Sequence, residues 1–253
     1  MKRLEGKCAI ITGATSGIGK AQAVIMAREG ACVVCVGQNK QRMEEVVSII
    51  RAEGGSAIEC IASVEKAEDC KRAARLAIDT YGKIDCLSNT AGIFDGFKKS
   101  LEQTEEGWCR MFDVDVKGVF LMCNAVLPDM LSRGDGSIIN IASIAGLTGG
   151  AGGAAYVAAK HAVVGYTKQL CVDYAAEGVR CNCIAAGSVS TPILDKILAD
   201  DPREQTKVFE TIPCKKLGTP ADIANLTVFL ASDDGKWMHG SVLSMDGGRQ
   251  ALG

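Results

Sequence analysis

Tyr156 and Lys160 stand four residues apart, and Ser143 precedes the tyrosine by thirteen. On a helix, residues at that spacing share one face. An ammonium held beside a phenol favours the phenolate and lowers a pKa whose reference value is about 10. The phenol then becomes a usable acid or base near neutral pH. A hydroxyl such as that of Ser143 can stabilise an oxygen whose charge changes. A lone Y-x-x-x-K is a cheap pattern, so its surroundings decide its meaning. Tyr81, Tyr166 and Tyr174 are followed at the fourth place by Asp85, Leu170 and Gly178, so the pairing occurs once.

Such a pair needs a rigid support, and the chain alternates short apolar runs with longer helical patterns. The runs Lys7–Thr12, Cys32–Val36, Ala57–Ile61, Asp85–Asn89, Ser137–Ala142, Val179–Ala185 and Val242–Met245 predict strands. Helices are predicted over Gly17–Arg28, Lys40–Glu53, Lys66–Tyr81, Glu105–Leu131, Ala154–Ala176 and Pro220–Leu230. The alternation predicts an α/β fold: a doubly wound parallel sheet of about seven strands with right-handed crossovers. No linker, repeat or low-complexity stretch divides residues 1–253, which predicts a single domain. Ligands of such sheets bind at the carboxyl ends of the strands.

Directly after the first strand runs Thr12-Gly13-Ala14-Thr15-Ser16-Gly17-Ile18-Gly19. Glycines there permit a tight turn and close backbone approach. The following helix offers unpaired N–H groups and partial positive charge to a pyrophosphate. The placement between strand and helix points to a dinucleotide.

Composition excludes other classes. The net charge is −2 with acids and bases intermixed, and no basic stripe suits nucleic acid. Lys2 and Arg3 precede only a short apolar run, which argues against a signal peptide, and no apolar run of membrane-spanning length occurs. Twelve cysteines without a secretory signal read as reduced thiols in a cytoplasm. Cys32 and Cys35 would point to opposite faces of a strand, and neither Cys181 with Cys183 nor the two histidines, His161 and His239, show ligand spacing, so no metal site is expected.

Taken in order, these motifs resemble the short-chain dehydrogenase/reductase family. Thr12-Gly13-x-x-x-Gly17-Ile18-Gly19 resembles its fingerprint, Asn89-Thr90-Ala91-Gly92 its Asn-Asn-Ala-Gly stretch, and Ser143, Tyr156 and Lys160 its catalytic set. Thr191-Pro192 and Asp246-Gly247-Gly248 resemble its later segments, so the likeness covers essentially the whole chain. It implies a Rossmann-type fold and hydride transfer between a nicotinamide cofactor and an alcohol or ketone. Tyr156 would exchange a proton with the substrate oxygen, Lys160 would lower the Tyr156 pKa and hold the ribose, and Ser143 would hold the substrate oxygen. Implied cofactor contacts include Gly13, Thr15, Ser16, Gly17, Ile18 and Gly19 in the first loop, and Gly37, Gln38, Asn39 and Lys40 after the second strand. Ser63, Val64, Asn89, Ala91 and Gly92 follow, then Gly187, Val189 and Thr191. Implied substrate contacts are Phe94, Ser143, Ala145, Gly150, Gly187 and Leu194. The family likeness further implies a small-molecule substrate and a homotetramer or homodimer.

The departures carry information. Where the family usually has Asn in the long helix, this chain has Asp115, unless a local shift turns that residue elsewhere. An ionised Asp115 accepts hydrogen bonds but cannot donate them. Its charge would favour protonated Lys160 and oppose the Tyr156 phenolate. Ser63, Thr90 and Ala186 also replace the residues many relatives carry. Gly37 stands where NAD enzymes of this family place an acid, and Gln38 where NADP enzymes often place Arg. Lys40 and Arg42 could meet a 2′-phosphate or could simply be a solvated helix start; the balance leans to NADP(H) over NAD(H).

The small residues between Ser143 and Tyr156 leave room for a wide cleft. Ile193, Leu194, Ile197, Leu198 and Phe209 predict a helical lid, with Phe94 and Phe97 at the same mouth. A bulky, lipophilic alcohol or ketone such as a hydroxysteroid or bile acid fits these features, although the same residues could serve only to pack the lid. A 3-oxoacyl thioester reductase is the alternative, for which Lys98, Lys99 and Arg133 would supply carrier docking. An enoyl reductase is disfavoured by the Tyr156–Lys160 spacing. A cofactor-binding sensor without turnover is the reading from another class.

Overall fold

A computed structural model describes residues 2–200 and 208–252, with only the backbone of residues 196, 197 and 200. Seven parallel strands form one sheet: β1 (Cys8–Thr12), β2 (Cys32–Gly37), β3 (Ser56–Ile61), β4 (Cys86–Asn89), β5 (Gly136–Ser143), β6 (Val179–Ala186) and β7 (Val242–Met245). Their order is β3-β2-β1-β4-β5-β6-β7. The strands are apolar at nearly every position because both faces are covered. In β1, Cys8 and Ile10 enter one core while Ala9 and Ile11 enter the other. The first core is closed by α3 (Ala67–Tyr81), α5 (Gly118–Arg133) and α6 (Ala154–Tyr174). The second is closed by α1 (Gly17–Arg28), α2 (Lys40–Ala52) and α8 (Pro220–Ala231). Two further helices, α4 (Glu105–Phe112) and α7 (Pro192–Asp200), border the carboxyl ends of the strands. This is the expected doubly wound, Rossmann-type sheet.

The chain winds outward through β2 and β3, then returns to place β4 on the other side of β1. That reversal opens a crevice at the carboxyl ends of β1 and β4. Gly13 sits in it with φ +67°, and a Cβ there would lie 2.9 Å from the Ala91 backbone. The Thr12 hydroxyl accepts the N–H groups of Thr90 and Ala91 at 2.9 and 3.0 Å. Thr90, the departure from the family stretch, joins the same buried network by donating to Gln22 Oε1 at 2.6 Å.

One predicted element differs. The helix expected over Glu105–Leu131 is broken into α4, a π turn over Asp113–Lys117, and α5. The π turn inserts extra backbone into one winding and swings Asp115 inward, where it is 1% exposed. All twelve cysteines are free thiols. Among the described residues, no helix is long and apolar enough to cross a membrane.

Candidate active site

A cleft of about 1050 Å3 runs along the carboxyl ends of the strands. Its floor at one end is the loop Gly13 to Gly19. Bare Cα atoms are required there: a Cβ on Gly19 would fall 2.3 Å from the Gly13 carbonyl oxygen, and Gly17 adopts φ +52°. Ser16 precedes α1 in extended conformation, but its side chain makes no capping hydrogen bond. By contrast, Asn39, Thr104 and Thr219 do cap α2, α4 and α8. The first N–H groups of α1 therefore remain available to an anion. Uncapped donors, a glycine cradle and a long cleft together fit a dinucleotide cofactor.

The Tyr156, Lys160 and Asp115 side chains meet at the centre. Lys160, 6% exposed, extends from α6 so that its Nζ lies 2.9 Å from Asp115 Oδ2 and donates to the Ile141 carbonyl at 3.3 Å. Asp115 Oδ1 accepts the Ile93 N–H at 2.8 Å. Gly92 makes this approach possible, because a Cβ there would stand 3.0 Å from Asp115 Oδ2. The Lys160 ammonium is 5.4 Å from the centre of the Tyr156 ring. On the adjacent face of α6, Ala155 and Ala159 are fully buried and pack with Met111 of α4. Small residues on that face let α4 come close while the neighbouring face turns Tyr156 and Lys160 to the cleft.

The electrostatics correct one expectation. Burial raises the Tyr156 pKa; Lys160 lowers it, Asp115 raises it, Ser143 lowers it and Asp95 raises it, and the net result lies above the ordinary phenol value. The predicted lowering by Lys160 is present but outweighed by desolvation and the two carboxylates. Burial also pulls Lys160 down, yet its attraction to Asp115 and Tyr156 and its bond to Asp115 hold it above the ordinary lysine value. Asp115 thus acts in the expected direction on both groups.

Most of the predicted residues come together. Thr15, Ile18, Gly37, Gln38 and Asn39 line one end of the cleft, with Val64, Ala91 and Gly92 beside them. Ser143, Tyr156, Gly187, Val189 and Thr191 line its middle, and Phe94, Gly150 and Leu194 its far end. Others are placed elsewhere. Lys40 pairs with Glu44 at 3.8 Å, away from the cleft wall. Ser63 stands behind the wall: its N–H donates to Asp69, and its hydroxyl donates to Glu65 and accepts from Gln38 at 3.5 Å. The Asn89 side chain is buried and donates to Asn140 at 2.9 Å, where it ties β4 to β5 beneath the site. Ala145 is buried in a tight turn pressed on α6, where its N–H donates to Ser143 Oγ at 3.1 Å; Ile144 lines the cleft in its place. Phe209 misses the wall because Val208, Thr211 and Ile212, at helical spacing, face it instead. The Ile197 side chain lies outside the described residues. Arg133 is held by Asp129, Asp85 and the Ile84 carbonyl at the amino end of β4, the opposite end of the sheet from the cleft. Asp246, from the Asp-Gly-Gly segment, lines the cleft, and so does Arg249, which no local pattern marked. Asp246 stays there because Gly187 allows its backbone to come within 2.6 Å of where a Cβ would be.

The chain is similar over its whole length to known proteins. Residues 13–250 match the family described as enoyl-(acyl carrier protein) reductase. The chain is 42% identical over 248 residues to 2,5-dichloro-2,5-cyclohexadiene-1,4-diol dehydrogenase of Sphingobium indicum, covering 97% of each. It is 37% identical over 245 residues to cyclohexanol dehydrogenase of an Acinetobacter species, covering 97% of this chain and 95% of that one. Among solved structures it superimposes with TM-score 0.92 and 37% identity, over 98% of each chain, on a candidate NAD(P)-dependent gluconate 5-dehydrogenase from Beutenbergia cavernae with bound NADP at low occupancy. The likeness to these dehydrogenases of alcohols runs along the full length of the chain. The chain belongs to the short-chain dehydrogenase/reductase family, as an NAD(P)-dependent oxidoreductase that interconverts alcohols and ketones.

Proposed function

We propose that the substrate of this dehydrogenase is a secondary alcohol or ketone carried on a bulky, lipophilic ring system, a hydroxysteroid being one such compound, and that NADP(H) is preferred to NAD(H). The supporting observation is the far end of the cleft. Phe94 stands edge-on to Tyr156 with ring centres 4.9 Å apart, and Phe97 stands edge-on to Phe94 at the same distance. Ile193, Leu194 and Ile212 complete an apolar surround, and Gly150 and Ala151 keep its other side open. Such a lining favours apolar area over dispersed hydroxyl groups. The names of the two relatives above both specify a six-membered carbon ring.

A nicotinamide cofactor, when bound, accepts or supplies the hydride. The α1 N-terminus and the glycine loop would hold its pyrophosphate. Tyr156 donates a proton to the ketone oxygen, or takes one from the alcohol. Lys160 keeps positive charge beside the phenol, and Ser143 donates a hydrogen bond to the reacting oxygen. The missing carboxylate at the end of β2 supports NADP(H): Thr15 and Met43 crowd the Gly37 Cα, so a Cβ there would lie 2.8 Å from the Thr15 methyl. Exposed Phe120 and Trp108 beside a groove of Phe112, Val116 and Tyr166 support assembly into a homodimer or homotetramer. Free thiols throughout support a reducing cytoplasm.

The test is cofactor absorbance, with NADP and NAD separately against cyclohexanol, hydroxysteroids and sugar acids, and with NADPH and NADH separately against the corresponding ketones and 3-oxoacyl thioesters. We expect turnover of the ring alcohols with NADP, and a loss of about 10²–10⁴-fold in Tyr156→Phe. Turnover of thioesters alone would overturn the ring reading. Arg133 is half-buried in its pairing with Asp129 and Asp85 at the opposite end of the sheet from the cleft, which leaves Lys98 and Lys99 for that alternative.

A further inference from the structure

The helix that carries Tyr156 and Lys160 has no cap of its own. Its N-cap is Gly153, which has no side chain to offer, and α6 begins without a local capping bond. The missing acceptors come from a distant loop. Asp95 Oδ1 accepts the Gly153 N–H at 3.0 Å, and Asp95 Oδ2 accepts the Tyr156 N–H at 3.1 Å. The Lys98 carbonyl takes the Ala154 N–H at 3.0 Å. Gln103 donates to Asp95 Oδ2 at 3.1 Å and so orients the carboxylate. Gly153 is glycine for a steric reason: a Cβ there would lie 2.4 Å from Asp95 Oδ2. An anionic acceptor at this point also suits the helix dipole.

The loop that supplies Asp95 is also the substrate-side wall. Phe94, its neighbour, contacts the Tyr156 ring, and Phe97 is held at φ +59°, a conformation a bulky residue rarely adopts. Such strain persists only where surrounding contacts over-determine it. The Asp95 bonds and the Lys98 carbonyl bond tie the loop to α6 on either side of Phe97, whose ring packs on Phe94.

We propose that Asp95 is a positioning residue for proton transfer, latching the aromatic substrate loop to the N-terminus of the catalytic helix so that the Tyr156 ring and the Phe94 wall move as one body. The proposal rests on Tyr156 being the proton-transfer group. The charged and titratable groups facing Tyr156 are Lys160 from α6, Asp115 from the π turn and Asp95 from this loop, with the Ser143 hydroxyl from β5. Removing the Asp95 charge therefore moves the phenol toward easier ionisation.

The experiment compares Asp95→Ala and Asp95→Asn with the unaltered enzyme. In Asp95→Ala we expect kcat for ring-alcohol oxidation to fall about 10–100-fold, because small displacements of a reacting group are costly. The dissociation constant for NADPH, read by fluorescence, should stay within about twofold, since the α1 cradle is untouched. Asp95→Asn keeps one acceptor and should recover most of kcat, with its rising pH limb displaced to lower pH. Unchanged kcat in Asp95→Ala, or an Asp95→Asn profile superimposable on the original, overturns the proposal. Amide hydrogen exchange of the segment 152–158 needs no substrate. It should quicken in Asp95→Ala, and unchanged exchange there overturns the latch even if no alcohol is turned over and the functional reading itself fails.

Discussion

Asp115 changes the character of the proposed proton-transfer site. Its carboxylate sits against the Lys160 ammonium at 2.9 Å, and both groups are nearly excluded from water. The pair is strongly coupled: the negative charge keeps Lys160 protonated, while the same charge opposes formation of the Tyr156 phenolate. With Tyr156 as the proposed proton-transfer group, alcohol oxidation requires it to accept a proton, so the rate should rise with pH as the phenol ionises. The raised Tyr156 pKa places that rise on the alkaline side of an ordinary phenol. Asp115→Asn removes a contribution that raises the pKa, and the rising limb should move to lower pH. A pH profile of kcat/KM that stays in place on Asp115→Asn would show that the carboxylate does not reach the phenol electrostatically. Asp115→Ala is a harsher change. It strands a buried ammonium with the Ile141 carbonyl, and stability should fall by about 3–5 kcal/mol in denaturant titration.

At the scale of elements, the local patterns carried most of the fold. Alternating apolar runs marked all seven strands, and the glycine loop was recognisable because its φ demands and its position after β1 are both local. The break at Asp113–Lys117 was not legible, since a π turn adds backbone without any composition signal and apolar residues continue on either side. Asp95 was invisible for a different reason. Its partners stand 58 and 61 residues away, and nothing near Asp95 in the chain says what it caps. Ala145 was misplaced because a tight turn rotates it from the wall to the core. The switch-point glycine gives a direct check on element packing. Gly13→Ala forces a side chain into the left-handed region and against the Ala91 backbone, 2.9 Å away. NADPH binding by fluorescence titration should weaken at least tenfold, on the order of 1.4 kcal/mol or more. Gly54 also has positive φ (+78°) but nothing within 4 Å, so Gly54→Ala should cost only about 1–2 kcal/mol of stability and leave binding unchanged. Equal loss of binding in both variants would mean that backbone strain alone, and not packing of β1 on β4, governs the cradle.

For the whole molecule, the cofactor is a structural partner as well as a reactant, because the cleft spans the line where β1 and β4 part and contacts elements from both cores. A ligand that binds only the folded chain stabilises it by RT ln(1 + [L]/Kd), about 2.7 kcal/mol at a hundredfold excess over Kd. In a chain of this size that corresponds to a rise in Tm of about 5–10 °C. The comparison of two cofactors then reads the β2 edge directly. Gln38 carries no charge and lies 3.5 Å from the Ser63 hydroxyl, Lys40 is only loosely paired with exposed Glu44, and no carboxylate is present at Gly37 to repel a 2′-phosphate. Surface pairs of the Lys40–Glu44 kind are weak, so the ammonium can exchange partners at little cost. At equal concentration NADPH should therefore raise Tm more than NADH does, and the difference should shrink with added salt and in the double variant Lys40→Ala, Arg42→Ala. A larger shift with NADH, insensitive to salt, would instead assign this edge to recognition of ribose hydroxyls through Gln38 and Ser63.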